Sequence, residues 1–146
     1  NPSLYSAAVG HHFARPGNRF WATLHRAGFT ERLLLPEEEH ELLEHGFGIT
    51  NLVSRATASA VELATEEYRD GALSLARKVR HYRPAKVAFV GIQAYRLALS
   101  ERLATVGQQP RRFVDARAWV LPNPSGLNAH YQLDALAELY RQVLGR

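Results

Sequence analysis

Residues 118–129 read Ala-Trp-Val-Leu-Pro-Asn-Pro-Ser-Gly-Leu-Asn-Ala, an apolar run followed by a cluster of turn-forming residues. The side chains of residues 119–121 favour a β-strand, and Pro122 ends it. Gly126 can adopt backbone angles that other residues avoid, so we expect a tight turn after the strand. Leu127 then places an apolar side chain where a loop is normally exposed. The stretch therefore predicts a strand that ends in a rigid turn with a leucine at its tip.

A leucine at the tip of a rigid turn has two interpretations. It can insert between stacked partners, such as the bases of a nucleic acid. It can also be the half-buried side chain of an ordinary strand-to-helix turn, which is the commoner arrangement for such a stretch taken alone.

Strands and helices alternate on either side of this stretch. Residues 87–90 form a compact apolar run that is typical of a buried parallel strand, and residues 117–121 predict a further strand. Helical spacing of apolar residues covers 71–82, 93–103 and 133–144, with a turn expected over 107–112. This order predicts an α/β fold, a single three-layer domain over residues 1–146 with a short, mostly parallel central sheet flanked by helices.

The first half of the chain is less regular. Residues 1–18 predict a long loop, because proline and glycine punctuate them. Helices are predicted over 19–27 and from Pro36 through the acidic run 37–44, which is most simply a solvated helix face. Residues 47–53 are a candidate strand, and 57–65 are irregular.

Composition excludes several classes of protein. The chain has 146 residues, 46% of them hydrophobic and 22% charged, which fits one globular domain. It has no cysteine, so disulfides, thiol catalysis and cysteine-ligated metal clusters are excluded. No apolar run approaches about 18 residues, and no signal peptide is visible. Since the chain also lacks methionine, we expect Asn1 to lie inside the natural domain, with one strand missing before it.

The charge is unevenly distributed along the chain. Residues 31–70 carry ten acids and three arginines, whereas residues 71–146 carry twelve basic residues and four acids. A basic half is compatible with a partner that has a phosphate backbone. The net charge of +4 is mild, however, and many basic proteins bind no nucleic acid.

Two Asn-Pro-Ser turns, at residues 1–3 and 123–125, are candidates for a binding rim. Ligands of an open parallel sheet bind beyond the carboxyl ends of its strands, and we expect each turn to follow a strand. Neither turn carries the glycine-rich phosphate loop of a dinucleotide site. Between them, Phe13 either stacks on a base or anchors its loop in the core. Adjacent histidines such as His11 and His12 rarely ligate one metal, so no metal site is expected.

Two separated motifs carry a specific resemblance. Residues 1–21, Asn-Pro-Ser-Leu-Tyr-Ser-Ala-Ala-Val-Gly-His-His-Phe-Ala-Arg-Pro-Gly-Asn-Arg-Phe-Trp, and residues 123–127, Asn-Pro-Ser-Gly-Leu, resemble the mismatch-specific uracil/thymine-DNA glycosylases of the uracil-DNA glycosylase superfamily. Residues 48–53, 67–71 and 82–84 agree, so the resemblance covers essentially the whole chain. It implies a DNA repair enzyme that flips out uracil, thymine or a related damaged pyrimidine, preferentially opposite guanine. Hydrolysis of the glycosidic bond would leave an abasic site.

The resemblance also implies roles for individual residues. Asn1 would position the attacking water, Phe13 would stack on the flipped base, and Leu127 would act as a wedge in the duplex. Asp70 is the acid that we would test as a catalytic helper, and capping of a helix is its alternative role. The implied base pocket comprises Ser3, Tyr5, Ser6, Phe13 and Asn18, and the implied DNA-contacting wedge comprises Asn123, Ser125, Gly126, Leu127 and Asn128.

The implied enzyme is a monofunctional, monomeric glycosylase that uses neither metal nor cofactor and acts on double-stranded DNA with a G·U or related mismatch. No membrane partner is expected. Its location would be the cytoplasm and nucleoid of a bacterium, or the nucleus of a eukaryote. Two alternatives remain open, a non-catalytic module that binds mismatched or distorted DNA and a small-molecule α/β enzyme. Asn1 and Phe13 discriminate the glycosylase from the binding module, because a binding module has no use for a water-positioning amide.

Overall fold

The computed structural model describes residues 1–145, which form two compact units. The first unit comprises residues 1–62 together with 124 onward, and the second comprises residues 63–123. No helix among the described residues is long and apolar enough to cross a membrane.

The helices are α1 (Leu4–Val9), α2 (Phe20–Ala27), α3 (Glu41–Glu44), α4 (Thr65–Tyr82), α5 (Ile92–Leu99) and α6 (Leu133–Leu144). The strands are β1 (Lys86–Val90), β2 (Gly107–Gln108) and β3 (Arg117–Leu121), and 3₁₀ turns lie at Pro36–Glu38 and Ala60–Glu62.

The second unit contains a mixed sheet with the strand order β1-β3-β2. β1 and β3 are parallel, with Lys86 opposite Arg117 and Val90 opposite Leu121, whereas β2 is antiparallel to β3. Helix α5 packs on β1 and β3, and α4 packs on α5. The predicted α/β class is therefore confirmed. The turn expected over 107–112 instead begins with β2, which makes the sheet mixed.

Position in the sheet decides how much of each strand is buried. Residues 118–121 of the central strand β3 are all buried. In β1, which lies at the edge, only Phe89 is buried, and its ring meets those of Tyr95 and Phe113 edge-on at 5.0 and 5.3 Å. The fully buried strand expected at 87–90 is therefore only partly buried.

In the first unit, helix α2 packs against helix α6. Both helices bury an apolar face, which includes Leu24 in α2 and Leu136 in α6. Burial also raises the pKa of the Tyr140 phenol, so this side chain stays neutral. The predicted helices 19–27 and 133–144 are confirmed to within one residue, because their apolar spacing matches the face that they bury.

Helix α1 stands where a loop was predicted. Ser3 caps its start, and Gly10 ends it with a left-handed backbone. The apolar side chains of α1 are exposed, whereas Ser6 is buried. A search for apolar periodicity cannot find a helix whose buried face is polar, which explains the wrong prediction for residues 4–9.

Two further predictions in the first unit are wrong. The helix expected through residues 37–44 is divided into the 3₁₀ turn at Pro36–Glu38 and the short helix α3. Residues 47–53 form no strand, and only Val53 of this segment is buried. Half-buried apolar residues in an irregular segment imitate the alternation of a strand without a neighbouring strand to pair with.

Helix α4 begins six residues earlier than the predicted start at Gly71, and α5 ends at Leu99 rather than at residue 103. The Glu67 carboxylate accepts a hydrogen bond of 2.8 Å from the Ala64 N–H at the start of α4. Asp70 lies in the second turn and is exposed. The alternative role of Asp70 as a helix cap is therefore wrong.

Candidate active site

Ten of the predicted site residues lie in the first unit, on α1, on the three residues before it and on two loops. We call residues 10–19 the aromatic loop and residues 124–131 the leucine loop. The ten residues are Asn1, Ser3, Tyr5, Ser6, Phe13, Asn18, Ser125, Gly126, Leu127 and Asn128.

The side-chain amide of Asn1 is held in one orientation. Its Nδ2 donates hydrogen bonds to the Arg55 carbonyl oxygen at 3.0 Å and to Thr57 Oγ1 at 2.7 Å. A carbonyl oxygen can only accept, so the nitrogen of the amide has to face Arg55. The carbonyl oxygen Oδ1 of the exposed Asn1 side chain is thereby left as an acceptor for a ligand such as water.

Thr57 fixes the segment that carries Asn1. Its backbone N–H donates to the Pro2 carbonyl at 3.3 Å, and it forms an isolated parallel bridge with Ser3. Thr57 is only 4% exposed, which shields these hydrogen bonds from competing water. Sequence reasoning gave Thr57 and Arg55 no role, because they lie more than 50 positions from Asn1 and no motif links them.

Ser6 ties α1 to the aromatic loop. Its side chain is 5% exposed, and Oγ accepts a hydrogen bond of 2.9 Å from the Ala14 N–H. Ser3 Oγ in turn accepts from the Ser6 N–H at 3.1 Å and caps the helix. Tyr5 points outward and is 48% exposed. The roles of these three residues toward a base remain predictions.

Phe13 is half-buried and adopts a left-handed backbone conformation with φ +51°. For a residue with a bulky side chain, such a conformation costs on the order of 1–3 kcal/mol and is concentrated at functional sites. Its ring stacks on the buried ring of Phe20 with centroids 4.0 Å apart. One face of the Phe13 ring is thus supported from inside, and the side chain is not enclosed in the core.

Glu39 holds the start of the aromatic loop. Its Oε2 accepts from the His12 backbone N–H at 2.7 Å and lies 2.9 Å from His12 Nδ1, and His11 Nδ1 lies 3.5 Å from Oε1. Burial raises the pKa of the Glu39 carboxyl, but the hydrogen bonds from His12 and His11 and the electrostatic interaction with His12 outweigh burial and keep this pKa below its ordinary value. One member of the acidic run therefore clamps a loop instead of facing solvent.

The aromatic and leucine loops touch at two glycines. A Cβ added to Gly126 would lie 2.5 Å from the carbonyl oxygen of Gly17. Asn18 stabilises the same region, because its Oδ1 accepts from the Phe20 N–H at 2.9 Å at the start of α2. Only a residue without a side chain fits at position 126, so the contact explains the glycine there.

Leu127 is 80% exposed at the tip of the leucine loop. Other apolar residues of the described chain, such as Val61 and Leu103, are exposed as well, so exposure alone assigns no function. The loop that presents Leu127 is ordered by hydrogen bonds. The Leu127 N–H donates to Ser125 Oγ at 3.2 Å, and the Asn128 N–H donates to the Ser125 carbonyl at 3.0 Å.

Arg19 is a further residue to which the sequence pattern gave no role. Its guanidinium donates to the backbone carbonyl oxygens of Pro124, Ser125, Asn128 and Tyr131, which belong to the leucine loop. Arg19 occurs in the Asn-Arg-Phe-Trp segment that carries the resemblance, but a local motif does not reveal a partner more than 100 positions away.

Asp70 and Asn123 belong to the second unit, and both are exposed. The catalytic role of Asp70 and the DNA-contacting role of Asn123 remain predictions. Within residues 1–145, no three histidine, aspartate or glutamate side chains are grouped so that they could hold a metal ion.

A comparison with models of known protein families matches residues 1–144 to the Uracil DNA glycosylase superfamily. The match covers nearly the whole chain and agrees with the resemblance noted for residues 1–21 and 123–127. It supports DNA as the partner and hydrolytic removal of uracil as the class of reaction. The chain belongs to the uracil DNA glycosylase superfamily.

Proposed function

We propose that this chain is a monofunctional, mismatch-specific glycosylase that removes uracil from DNA, preferentially opposite guanine, and leaves an abasic site. The observation that carries the proposal is the fixed orientation of the Asn1 amide, with Nδ2 bound to Arg55 and Thr57 and Oδ1 available. A module that only binds mismatched DNA gains nothing from an acceptor held in this way.

The proposed chemistry uses water as the nucleophile. Asn1 Oδ1 accepts a hydrogen bond from the water and turns its lone pair toward C1′ of the deoxyribose. The water oxygen bonds to C1′ as the C1′–N1 bond breaks, the electron pair of the broken bond leaves with the base, and a proton of the attacking water passes to solvent. An amide is a poor general base, so orientation of the water is its contribution. We therefore expect a modest rate.

The proposal also includes extrusion of the nucleotide, because the target bond is hidden in the stack. Unstacking and unpairing cost a few kcal/mol, and less for a mispaired base, which gives selectivity. Leu127 would fill the vacated space while Phe13 stacks on the extruded base. The contact between Gly17 and Gly126 supports a joint action of the two loops, since it holds one against the other.

The decisive experiment uses a labelled duplex with one G·U pair and alkaline cleavage of abasic sites. We expect the protein to produce the cleaved product. Asn1→Ala should abolish uracil release while duplex affinity changes little. Gln142→Ala, at an exposed position of α6, is the control and should match the unmodified protein. Binding of the duplex without release of uracil would overturn the enzymatic proposal and favour a mismatch-binding module.

A further inference from the structure

We propose that Arg19 is a positioning residue that holds the leucine loop ready for insertion into DNA. The inference rests on the proposed function for its effect on uracil release, but the hydrogen bonds between Arg19 and the leucine loop do not depend on that function. Arg19 lies at the end of the aromatic loop and at the N-cap of α2, so it connects that loop and that helix with residues 124–131.

The Arg19 guanidinium binds four backbone carbonyl oxygens of the leucine loop. Nη2 donates to the Ser125 carbonyl at 2.7 Å and to the Asn128 carbonyl at 3.1 Å, and Nη1 donates to the Tyr131 carbonyl. The Pro124 carbonyl receives two donors, Nε at 3.4 Å and the Arg19 backbone N–H at 2.9 Å. One side chain thus binds both ends and the middle of the loop that presents Leu127.

These contacts replace the hydrogen bonds that regular secondary structure would supply. Residues 122–132 lie in no helix or strand, so their carbonyl oxygens depend on other partners. No carboxylate among the described residues pairs with Arg19, and the half-buried cation is balanced by backbone carbonyls alone. Hydrogen bonds from a charged donor are roughly twice as strong as neutral ones.

The shape of the guanidinium is what the loop requires. Arginine offers five N–H donors in a rigid planar fork, whereas lysine offers three donors around one point. A lysine could reach only part of the four carbonyl oxygens. A wedge that is already ordered loses less conformational entropy on insertion than a loop that has to be ordered at that moment. Arg19 would therefore favour insertion without touching the DNA.

The test compares Arg19→Met and Arg19→Lys with Arg26→Met. Arg26 is the control because it lies on α2 and its guanidinium forms only an exposed ion pair, with Asp134 of α6. Hydrogen exchange of residues 125–131 measures the order of the loop. A 2-aminopurine beside the uracil brightens when its neighbour is extruded and so measures insertion. Single-turnover uracil release measures the outcome.

For Arg19→Met we expect faster exchange in residues 125–131 with little change in α6, and a weaker 2-aminopurine signal. Uracil release should fall by roughly 10- to 100-fold, as expected for a displacement of about 1 Å in a positioning element. For Arg19→Lys, the exchange rate, the 2-aminopurine signal and the rate of uracil release should lie between those of Arg19→Met and those of the unmodified protein. Arg26→Met should match the unmodified protein.

An unchanged rate of hydrogen exchange in residues 125–131 of Arg19→Met would overturn the proposal that Arg19 orders the leucine loop. Faster exchange with an unchanged 2-aminopurine signal would overturn its role in insertion, and faster exchange throughout the first unit would show general destabilisation instead. If the unmodified protein released no uracil, the proposed function would fail, whereas hydrogen exchange would still decide whether Arg19 orders the loop.

Discussion

The Asn1 amide owes its orientation to two acceptors supplied by residues 55–57. The Arg55 carbonyl belongs to the backbone and survives substitution, but the Thr57 hydroxyl does not. This difference allows the orientation of the amide to be weakened without removing the amide itself.

Thr57→Val keeps the shape of the buried side chain and removes one acceptor of Asn1 Nδ2. The loss of one such hydrogen bond, on the order of 1–2 kcal/mol, should lower the single-turnover rate of uracil release by roughly 5- to 30-fold. Duplex affinity should change little, because the hydroxyl faces Asn1. Thr105→Val, at an exposed site, is the control. An unchanged rate in Thr57→Val would mean that the backbone carbonyls of Arg55 and Pro2 suffice to orient the amide.

Gly126→Ala tests the contact between the two loops. The added methyl group would meet the Gly17 carbonyl oxygen at 2.5 Å, so one loop has to move. We expect a loss of roughly 1–3 kcal/mol in stability, measured by denaturant unfolding, and slower uracil release from duplex DNA. Gly48→Ala is the matched control, because a Cβ there would meet nothing within 4 Å. Equal behaviour of the two variants would contradict the contact.

The aromatic loop depends on the clamp between Glu39 and His12. The pKa of the Glu39 carboxyl is lowered in the folded protein, so its ionised form stabilises the fold. This contribution is present above the ordinary pKa of a glutamate and is lost as the pH falls through the lowered value.

Glu39→Gln should therefore lower the melting temperature at neutral pH, and its difference from the unmodified protein should shrink as the solution is acidified. Thermal unfolding at a series of pH values measures this difference. Glu37→Gln, at an exposed position of the same acidic run, should show no such trend. If the melting temperature of Glu39→Gln stayed below that of the unmodified protein by the same amount at every pH, the ionised Glu39 carboxylate would not be what stabilises the loop.

Regular elements were predictable where their apolar spacing matches their burial. Helices α2 and α6 and strand β3 satisfy this condition. Helix α1 does not, since it buries Ser6 and exposes its apolar residues, and residues 47–53 show the spacing of a strand without forming one. The local pattern of a segment shows which side chains it could bury. Which other segment it packs against depends on the rest of the chain.

Only some residues of the candidate site were predictable from the sequence. Asn1, Phe13 and Leu127 were predictable because they stand in recognisable motifs. The side chains that hold them, Thr57, Glu39 and Arg19, were not. Each of these three acts through a hydrogen bond to a segment at least 27 positions away, and such pairs leave no trace in a single sequence.

Charge is divided between the two compact units. Residues 63–123 carry eleven basic and five acidic residues, whereas the remaining sequence carries seven basic and nine acidic residues. The unit that contains Asn1, Phe13 and Leu127 is thus not the basic one. Attraction to the phosphate backbone is expected mainly from residues 63–123.

DNA binding should consequently depend on salt. With about four phosphate contacts, the affinity for a G·U duplex should fall on the order of 100-fold between 50 and 200 mM salt. The single-turnover rate at saturating enzyme should change little, since the Asn1 amide is oriented by uncharged acceptors. Fluorescence anisotropy at several salt concentrations measures the first quantity. An affinity that hardly responds to salt would mean that phosphate contacts contribute little.

The two loops of the first unit differ in what acid can do to them. Arg19 donates to backbone carbonyl oxygens of residues 124–131, and these acceptors take up no proton in water, so acid removes none of them. The hydrogen bonds between Glu39 and His12 do depend on pH, because the Glu39 carboxylate can take up a proton. Acid strong enough to protonate Glu39, at a pH below the ordinary pKa of a glutamate, should therefore loosen the aromatic loop and leave the leucine loop held. Leu127 would then still insert into a duplex, but Phe13 would hold the extruded base less firmly.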